Sequence, residues 1–372
     1  MLKRVNHAQS PTDFLVEHQP DIPVHFFCPV RLEAQAAAFR SGFDGMVTYA
    51  VKANPQEQVI RTLCRAGIGG FDVASPDEIS AISDICPKAA MHYHNPVRSR
   101  SEIALGITAG VSSWSVDCES ELTKLMSMLP EQAEIAVRLR LDVGGAAYNF
   151  GSKFGAEPAE VGRLLRAVAE AGHLPSITFH VGTQCLDPMA FASYIRAAAM
   201  ISRTAQVPLY RLNIGGGFPS ARDQAVELTP FFQAIEDAMT AFETRPRLVC
   251  EPGRGLVADS FSYAVRIKAI RDGALFLNDG VYGGLSEFVS MCPPKAQVIG
   301  PDGTLRTGSA IDWVAFGPTC DSLDRLREPL SLPSSLEEGD WLLFQSMGAY
   351  LTGVTTRFNG YGDCMTVTVD DL

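Results

Sequence analysis

The lysine of YAVKAN (Tyr49–Asn54) ends an apolar run, where an ammonium is costly unless paired or neutralised. Desolvation there lowers a lysine pKa and frees the amine to form an imine with a carbonyl; taken alone, Lys52 also reads as a snorkelling surface lysine. The three glycines of NIGGGFP (Asn213–Pro219) follow an apolar run, and Gly215, Gly216 and Gly217 would let backbone N–H groups approach an anion such as a phosphate. A plain turn is the competing reading. In EPGRG (Glu251–Gly255), a carboxylate and a guanidinium flank a turn, so Arg254 would clamp the same phosphate or form a simple ion pair with Glu251. His92 and His94 share one strand face in MHYHNP. No carboxylate or third ligand stands at a recognisable spacing from them, so no metal is expected.

The 372 residues are 46% hydrophobic and 20% charged, enough apolar material for one large core and a smaller one. A net charge of -11 excludes the clustered basic surface that phosphate contacts of a nucleic-acid binder need, and suits a cationic small molecule better. The opening MLKRVNHAQSPTDF lacks a signal-peptide core, and no run approaches the ~18 apolar residues of a membrane span, so a cytoplasmic location and no membrane partner are expected. Nine scattered cysteines without a CxxC pair read as free thiols in a reducing compartment.

From Val24 to about residue 260, short β-rich runs alternate with helical stretches such as SPDEISAISDI and ESELTKLMSML. Eight strands are predicted: MVTYAV (46–51), GGFDVA (69–74), AMHYH (90–94), WSVD (114–117), AVRLRL (136–141), SITFHV (176–181), RLNIGG (211–216) and RLVCEPG (247–253). Eight βα units close a barrel, and Lys52, Asp72, His94, Asp117, His180, Asn213 and Glu251 fall at strand C-terminal ends, where barrel enzymes place their sites. Residues 261–372, with 1–23, read as a mostly antiparallel β domain in which 297–309 and 327–340 are the most loop-like segments.

In this order, YAVKANP, FDVASPDEI, SKFG, FHVGTQ, NIGGGFP, EPGR, DGVYG, FGPTCDSLD and MGAY followed by FNGYG resemble the alanine-racemase-like barrel family of pyridoxal-phosphate enzymes, within it the ornithine and diaminopimelate decarboxylases. The resemblance implies a (β/α)8 barrel with a β domain, pyridoxal 5'-phosphate as cofactor, and a homodimer that shares its active sites. It makes Lys52 the Schiff-base lysine and His180 the residue stacked on the pyridine ring. Glu251 becomes the carboxylate facing the ring nitrogen. Thr183, Gly215–Gly217, Gly253, Arg254 and Tyr350 become the phosphate set, with Asp72, Glu78 and Arg138 around the lysine and ring. Cys320 becomes the thiol that returns a proton to the substrate.

A carboxylate at Glu251 keeps the ring nitrogen protonated and the cofactor a full electron sink, whereas the racemases of this fold carry arginine there; decarboxylation follows. Asp321, directly after Cys320, matches the residue that holds the distal ammonium of ornithine or lysine; diaminopimelate decarboxylases have glutamate. The second acid of eukaryotic-type ornithine decarboxylases falls on Met291, with Glu287 nearby in another register. Ornithine to putrescine is the expected reaction, with Asp321, Glu287 and Tyr350 at the substrate. Lysine, diaminopimelate or a conjugated diamino acid are the alternatives, followed by racemisation or a non-catalytic, partner-binding relative.

Overall fold

In β5 (Glu134–Leu139), Glu134, Ala136 and Arg138 alternate with Ile135, Val137 and Leu139, as the two-residue period of a strand requires. The computed structural model, which describes residues 7–147, 151–222 and 226–372, places β5 in a closed parallel barrel. Its other strands are β1 (Met46–Ala50), β2 (Gly70–Val73), β3 (Ala90–Tyr93), β4 (Ser113–Val116), β6 (Leu174–Phe179), β7 (Arg211–Asn213) and β8 (Arg247–Cys250). All eight predicted strands are present, and β8 closes onto β1 through Val249 opposite Met46. Contacts between non-adjacent strands must cross the interior. Arg211 on β7 reaches His92 on β3 at 2.9 Å and Glu134 on β5 at 3.3 Å, so the barrel is filled partly by a paired polar network.

Local chemistry sets the helices between the strands. Ser75 accepts from Glu78 N ahead of Pro76–Ile85, and Ser99 forms a capping box with Glu102 ahead of Arg100–Thr108. The chain divides into two units, one of residues 35–219 with 226–256, the other of residues 1–34, 220–225 and 257–372. The strand Val24–Phe27 belongs to the second unit, because it pairs antiparallel with Phe261–Ala264.

In that unit the long strand Phe261–Arg271 pairs antiparallel with Val24–Phe27, Ala274–Leu277 and Trp341–Gln345. The pairing is mostly antiparallel, with parallel exceptions such as Met365–Val369 beside Val24–Phe27. Two segments expected as loops contain strands. Ala296–Ile299 pairs with Trp341–Phe344, and Leu330–Pro333 with Ala310–Trp313. Each is four residues long and framed by Gly, Pro and Ser, so only its distant partner makes it a strand. The core of this unit is built on Tyr263, Leu277, Phe288 and Phe344, with a second cluster around Phe14, Phe26 and Trp341.

The cysteine expectation is corrected in one place: Cys64 and Cys86 are disulfide-bonded, joining the C-terminal ends of the helices Glu57–Arg65 and Pro76–Ile85. Their 22-residue spacing carries no signal, because the packing of adjacent barrel helices brings them together. Among the described residues, no helix is long and apolar enough to cross a membrane.

Candidate active site

The 3-10 turn Val51–Ala53 at the end of β1 presents Lys52, whose Nζ stands 3.6 Å from Asp72 Oδ2 at the end of β2. Nearly half of the Lys52 side chain (47%) is accessible. The burial inferred from YAVKAN therefore belongs to its neighbours Val51 and Ala53. Asp72 is buried, and that burial, reinforced by the Glu251 charge and opposed by Lys52 and His94, raises its pKa to about 7.

Glu251 follows β8 and behaves in the opposite way. Burial would raise its pKa, but His94, His92 and Asn213 outweigh burial and hold it at about 2. His94 Nδ1 lies 2.6 Å from Glu251 Oε1, and Asn213 Nδ2 donates to the same oxygen. Two carboxylates at the ends of β2 and β8, the two strands that flank β1, are thus driven apart in acidity, the arrangement by which one site holds a charge and a proton at the same pH.

His180, after β6, is neutral. Burial first, then the Lys52 and Arg138 cations, lower its pKa to about 3. Gly182 N–H donates to its Nδ1 at 3.0 Å, which fixes the ring and leaves the proton on Nε2. Beside it, Gly215 and Gly217 have φ of 65° and 99°. A Cβ on Gly215 would fall 2.1 Å from Phe179 O, and one on Gly217 2.4 Å from Gly182 O, so this turn admits only glycine and forms a backbone cradle. Asn213 Oδ1 accepts from Gly215 N–H at 2.8 Å and ties the cradle to β7. Thr183 is buried with its carbonyl accepting from Ala147 N–H at 2.9 Å, and Arg254 is buried beyond β8 after Gly253. Arg138, whose pKa burial lowers, lies over the Phe154 ring at 5.4 Å. Glu78 is placed at the start of its helix, where Oε2 accepts from Ala74 N–H at 2.7 Å.

The remaining predicted residues belong to the second unit. Cys320 is exposed, its N–H donating to Asn359 Oδ1 at 3.0 Å, and Asp321 Oδ2 accepts from the Tyr282 hydroxyl at 2.6 Å. Glu287 pairs with Arg222 at 3.5 Å, and Met291 is buried. Tyr350 has a left-handed φ of 57°, rare for a tyrosine and characteristic of functional loops.

Sequence reasoning found no carboxylate for His92 and His94, yet closure of the barrel supplies Glu251: one ligand atom from each of the three lies within 4.8 Å of the others. Glu251 Oε1 already has two donors, and the Arg211 guanidinium lies against His92 Nε2; His92 Nδ1, 4.0 Å from Glu251 Oε1, is buried without a hydrogen-bond partner among the described residues. Asn213 was placed at a strand end without its partner Glu251, and Arg222 and Tyr282 were missed, because these contacts join residues far apart along the chain.

The residues fit a phosphorylated aldehyde cofactor on the observations above: an accessible amine flanked by a carboxylate, a glycine-only cradle, a neutral imidazole and an anionic carboxylate at one barrel end. Residues 30–258 match the family described as pyridoxal-dependent decarboxylase, pyridoxal binding domain. The chain is 32% identical to antizyme inhibitor 2 of Xenopus laevis over 342 residues, 84% of this chain and 73% of that protein. It is 32% identical to decarboxylase flvG of Aspergillus flavus over 335 residues (84% and 77%) and 31% identical to ornithine decarboxylase of Mus pahari over 344 residues (84% and 73%). Among solved structures, the Paramecium bursaria Chlorella virus arginine decarboxylase bound to agmatine superposes with a TM-score of 0.85 at 27% identity, covering 96% of this chain and 98% of that one. Lysine/ornithine decarboxylase of Vibrio vulnificus complexed with cadaverine gives 0.84 at 26% identity, covering 98% and 100%.

Proposed function

The chain belongs to the pyridoxal-dependent decarboxylase family and is a pyridoxal-phosphate-dependent amino-acid decarboxylase, and from that premise we propose that it removes the α-carboxylate of a basic L-amino acid, ornithine before others. One observation carries the reading: Glu251 is a buried carboxylate held ionised at the end of β8, the group needed opposite a protonated ring nitrogen.

When bound, pyridoxal phosphate supplies the sink for the electron pair that remains on the α-carbon as CO2 leaves. Lys52 would hold it covalently, with Asp72 beside the amine. Gly215–Gly217, Thr183, Gly253 and Arg254 would hold its phosphate, joined by Tyr350. His180, neutral and fixed by Gly182, offers a flat face for the ring without competing for its proton. Glu251 would keep a proton at the ring nitrogen. Cys320 would return a proton to the α-carbon, and its exposure in its own unit suits a thiol that completes the site of a second copy. Homodimerisation with shared sites is accordingly part of the proposal.

Asp321 would hold the distal ammonium. Its pKa is lowered, first by the Tyr282 hydroxyl and then by Leu323 N–H, so it is a ready anion. A longer or conjugated diamino acid is the second reading, favoured because Met291 is apolar and Glu287 is engaged by Arg222, which leaves a single distal carboxylate. The test is incubation of the reconstituted enzyme with ornithine, lysine, arginine, diaminopimelate and N-acylated diamino acids, with the amines identified by mass spectrometry. Putrescine as the main product supports the first reading; amines only from longer or conjugated substrates support the second; no amine from any of them rejects both.

A further inference from the structure

Three buried side chains meet Glu251, namely His94, Asn213 and His92, and none of them has a role in the mechanism above. His94 lies on the turn after β3, 157 residues away in sequence, and is buried. Its Nε2 faces Ser113 Oγ on β4 at 3.0 Å, and its Nδ1 faces Glu251 Oε1 at 2.6 Å. The proton on Nδ1 can be placed by elimination. Asn213 Oδ1 accepts from Gly215 N–H, which orients the amide, so its Nδ2 is the donor toward Glu251. Asn213 Nδ2 also lies 3.0 Å from His94 Nδ1, but an ionised carboxylate oxygen only accepts, so the shorter 2.6 Å contact of Nδ1 with Oε1 requires the hydrogen on Nδ1. Oε1 therefore receives two donors, and Oε2 is the oxygen left for another.

We propose that His94 is a positioning residue for the cofactor: with Asn213 it saturates Glu251 Oε1, so that the carboxylate stays anionic and turns Oε2 to the ring nitrogen of pyridoxal phosphate. The proposal rests on the reading of Glu251 given above. A surface carboxylate would hold its charge in water unaided, but this one is buried, and burial alone would protonate it. The groups acting on His94 are consistent with that duty: burial disfavours its charge, while Glu251, Asp72 and Glu134 raise its pKa. His92 stacks obliquely beside it, ring centroids 5.4 Å apart, and is kept neutral by burial, by His94 and by the Arg211 cation, so it does not compete for the proton. A purely packing role would not require a donor on Nδ1.

The experiment compares equilibrium binding of pyridoxal phosphate and its 1-deaza analogue, which lacks the ring nitrogen, to cofactor-depleted full-length protein. The preference for pyridoxal phosphate measures the ring-nitrogen contact and involves no turnover. In His94→Leu, which fills the space without a donor, the preference should fall by about tenfold, the loss of one charge-assisted hydrogen bond. In His94→Asn, whose amide places a donor near the Nδ1 position, it should recover to within about threefold of the parent by the same argument. If the leucine variant does not fold, His94→Ala replaces it. Equal weakening for both ligands, with the preference intact, overturns the proposal while Glu251→Gln still abolishes the preference. If Glu251→Gln keeps the preference, the ring-nitrogen assignment itself fails, and the proposal with it.

Discussion

The Tyr282 hydroxyl donates to Asp321 Oδ2 at 2.6 Å while Leu323 N–H donates to Oδ1 at 2.9 Å, so both oxygens of this carboxylate are held in place. The pair forms within the second unit across 39 residues of sequence. Asp321→Asn should lower kcat/KM for a basic substrate by roughly tenfold or more, with cofactor absorbance unchanged, because the anion opposite the distal ammonium is gone. Tyr282→Phe frees the carboxylate without discharging it and should cost about threefold by the same reasoning. Steady-state kinetics on ornithine and lysine decide this; full activity in Asp321→Asn would move the anchor elsewhere.

Glu287 is the nearest alternative acid, but Arg222 already faces it at 3.5 Å and also donates to Cys292 O. Glu287→Gln should therefore leave kcat/KM for ornithine within about threefold. A much larger loss would show that Glu287 is available to the substrate after all.

Removing the charge opposite the ring nitrogen has a larger expected effect. Glu251→Gln should lower the decarboxylation rate by about two orders of magnitude or more, with modest change in cofactor retention, since the electron sink weakens while the phosphate contacts remain. Single-turnover measurement of CO2 release checks it, and an unchanged rate would count against the assignment.

Subunit mixing addresses the shared site. Lys52→Ala should lose covalent cofactor, seen by reductive trapping and peptide mass spectrometry, and should be inactive, as should Cys320→Ala. A mixture of the two should regain up to about a quarter of the activity if each site takes its lysine and thiol from different copies of a two-fold dimer. No recovery after verified exchange would place both groups in one chain.

His25 supplies a pH test away from the site. It is buried in the strand Val24–Phe27, stacked on Phe261, with its Nε2 donating to Met347 O at 3.1 Å, and burial lowers its pKa to about 4. The unfolded chain binds a proton here below pH ~6.5 and the folded chain only below about 4. Stability from this group is therefore full above pH 6.5 and is lost as pH falls through that window, by roughly 2 kcal/mol at pH 5. Urea unfolding at pH 7 and pH 5 should show a smaller drop in His25→Asn than in the parent; equal drops would reject the assignment.

The barrel was legible residue by residue because its information is local. Each of the eight strands is a short β-rich run ended by a polar residue, and the pattern that makes Glu134, Ala136 and Arg138 share a face needs no distant partner. Lys52, Asp72, His180 and Glu251 could be placed at strand ends for the same reason. The strands Ala296–Ile299 and Leu330–Pro333 were not legible, since neither carries enough pattern in four residues to outweigh the turn residues around it. Their partners Trp341–Phe344 and Ala310–Trp313 make them strands.

By itself, then, the amino-acid order determined the barrel, its family, its cofactor and the chemical types gathered at the strand ends. Tertiary structure alone decided how those groups act on one another. Closure of the barrel brings His94 onto Glu251 and Arg211 onto His92, the packing of two helices joins Cys64 to Cys86, and the folding of the second unit brings Arg222 to Glu287. Secondary structure repeats every two to four residues and is written in neighbours, whereas acidity depends on charges within a few ångströms in space, and those arrive from strands more than a hundred residues apart.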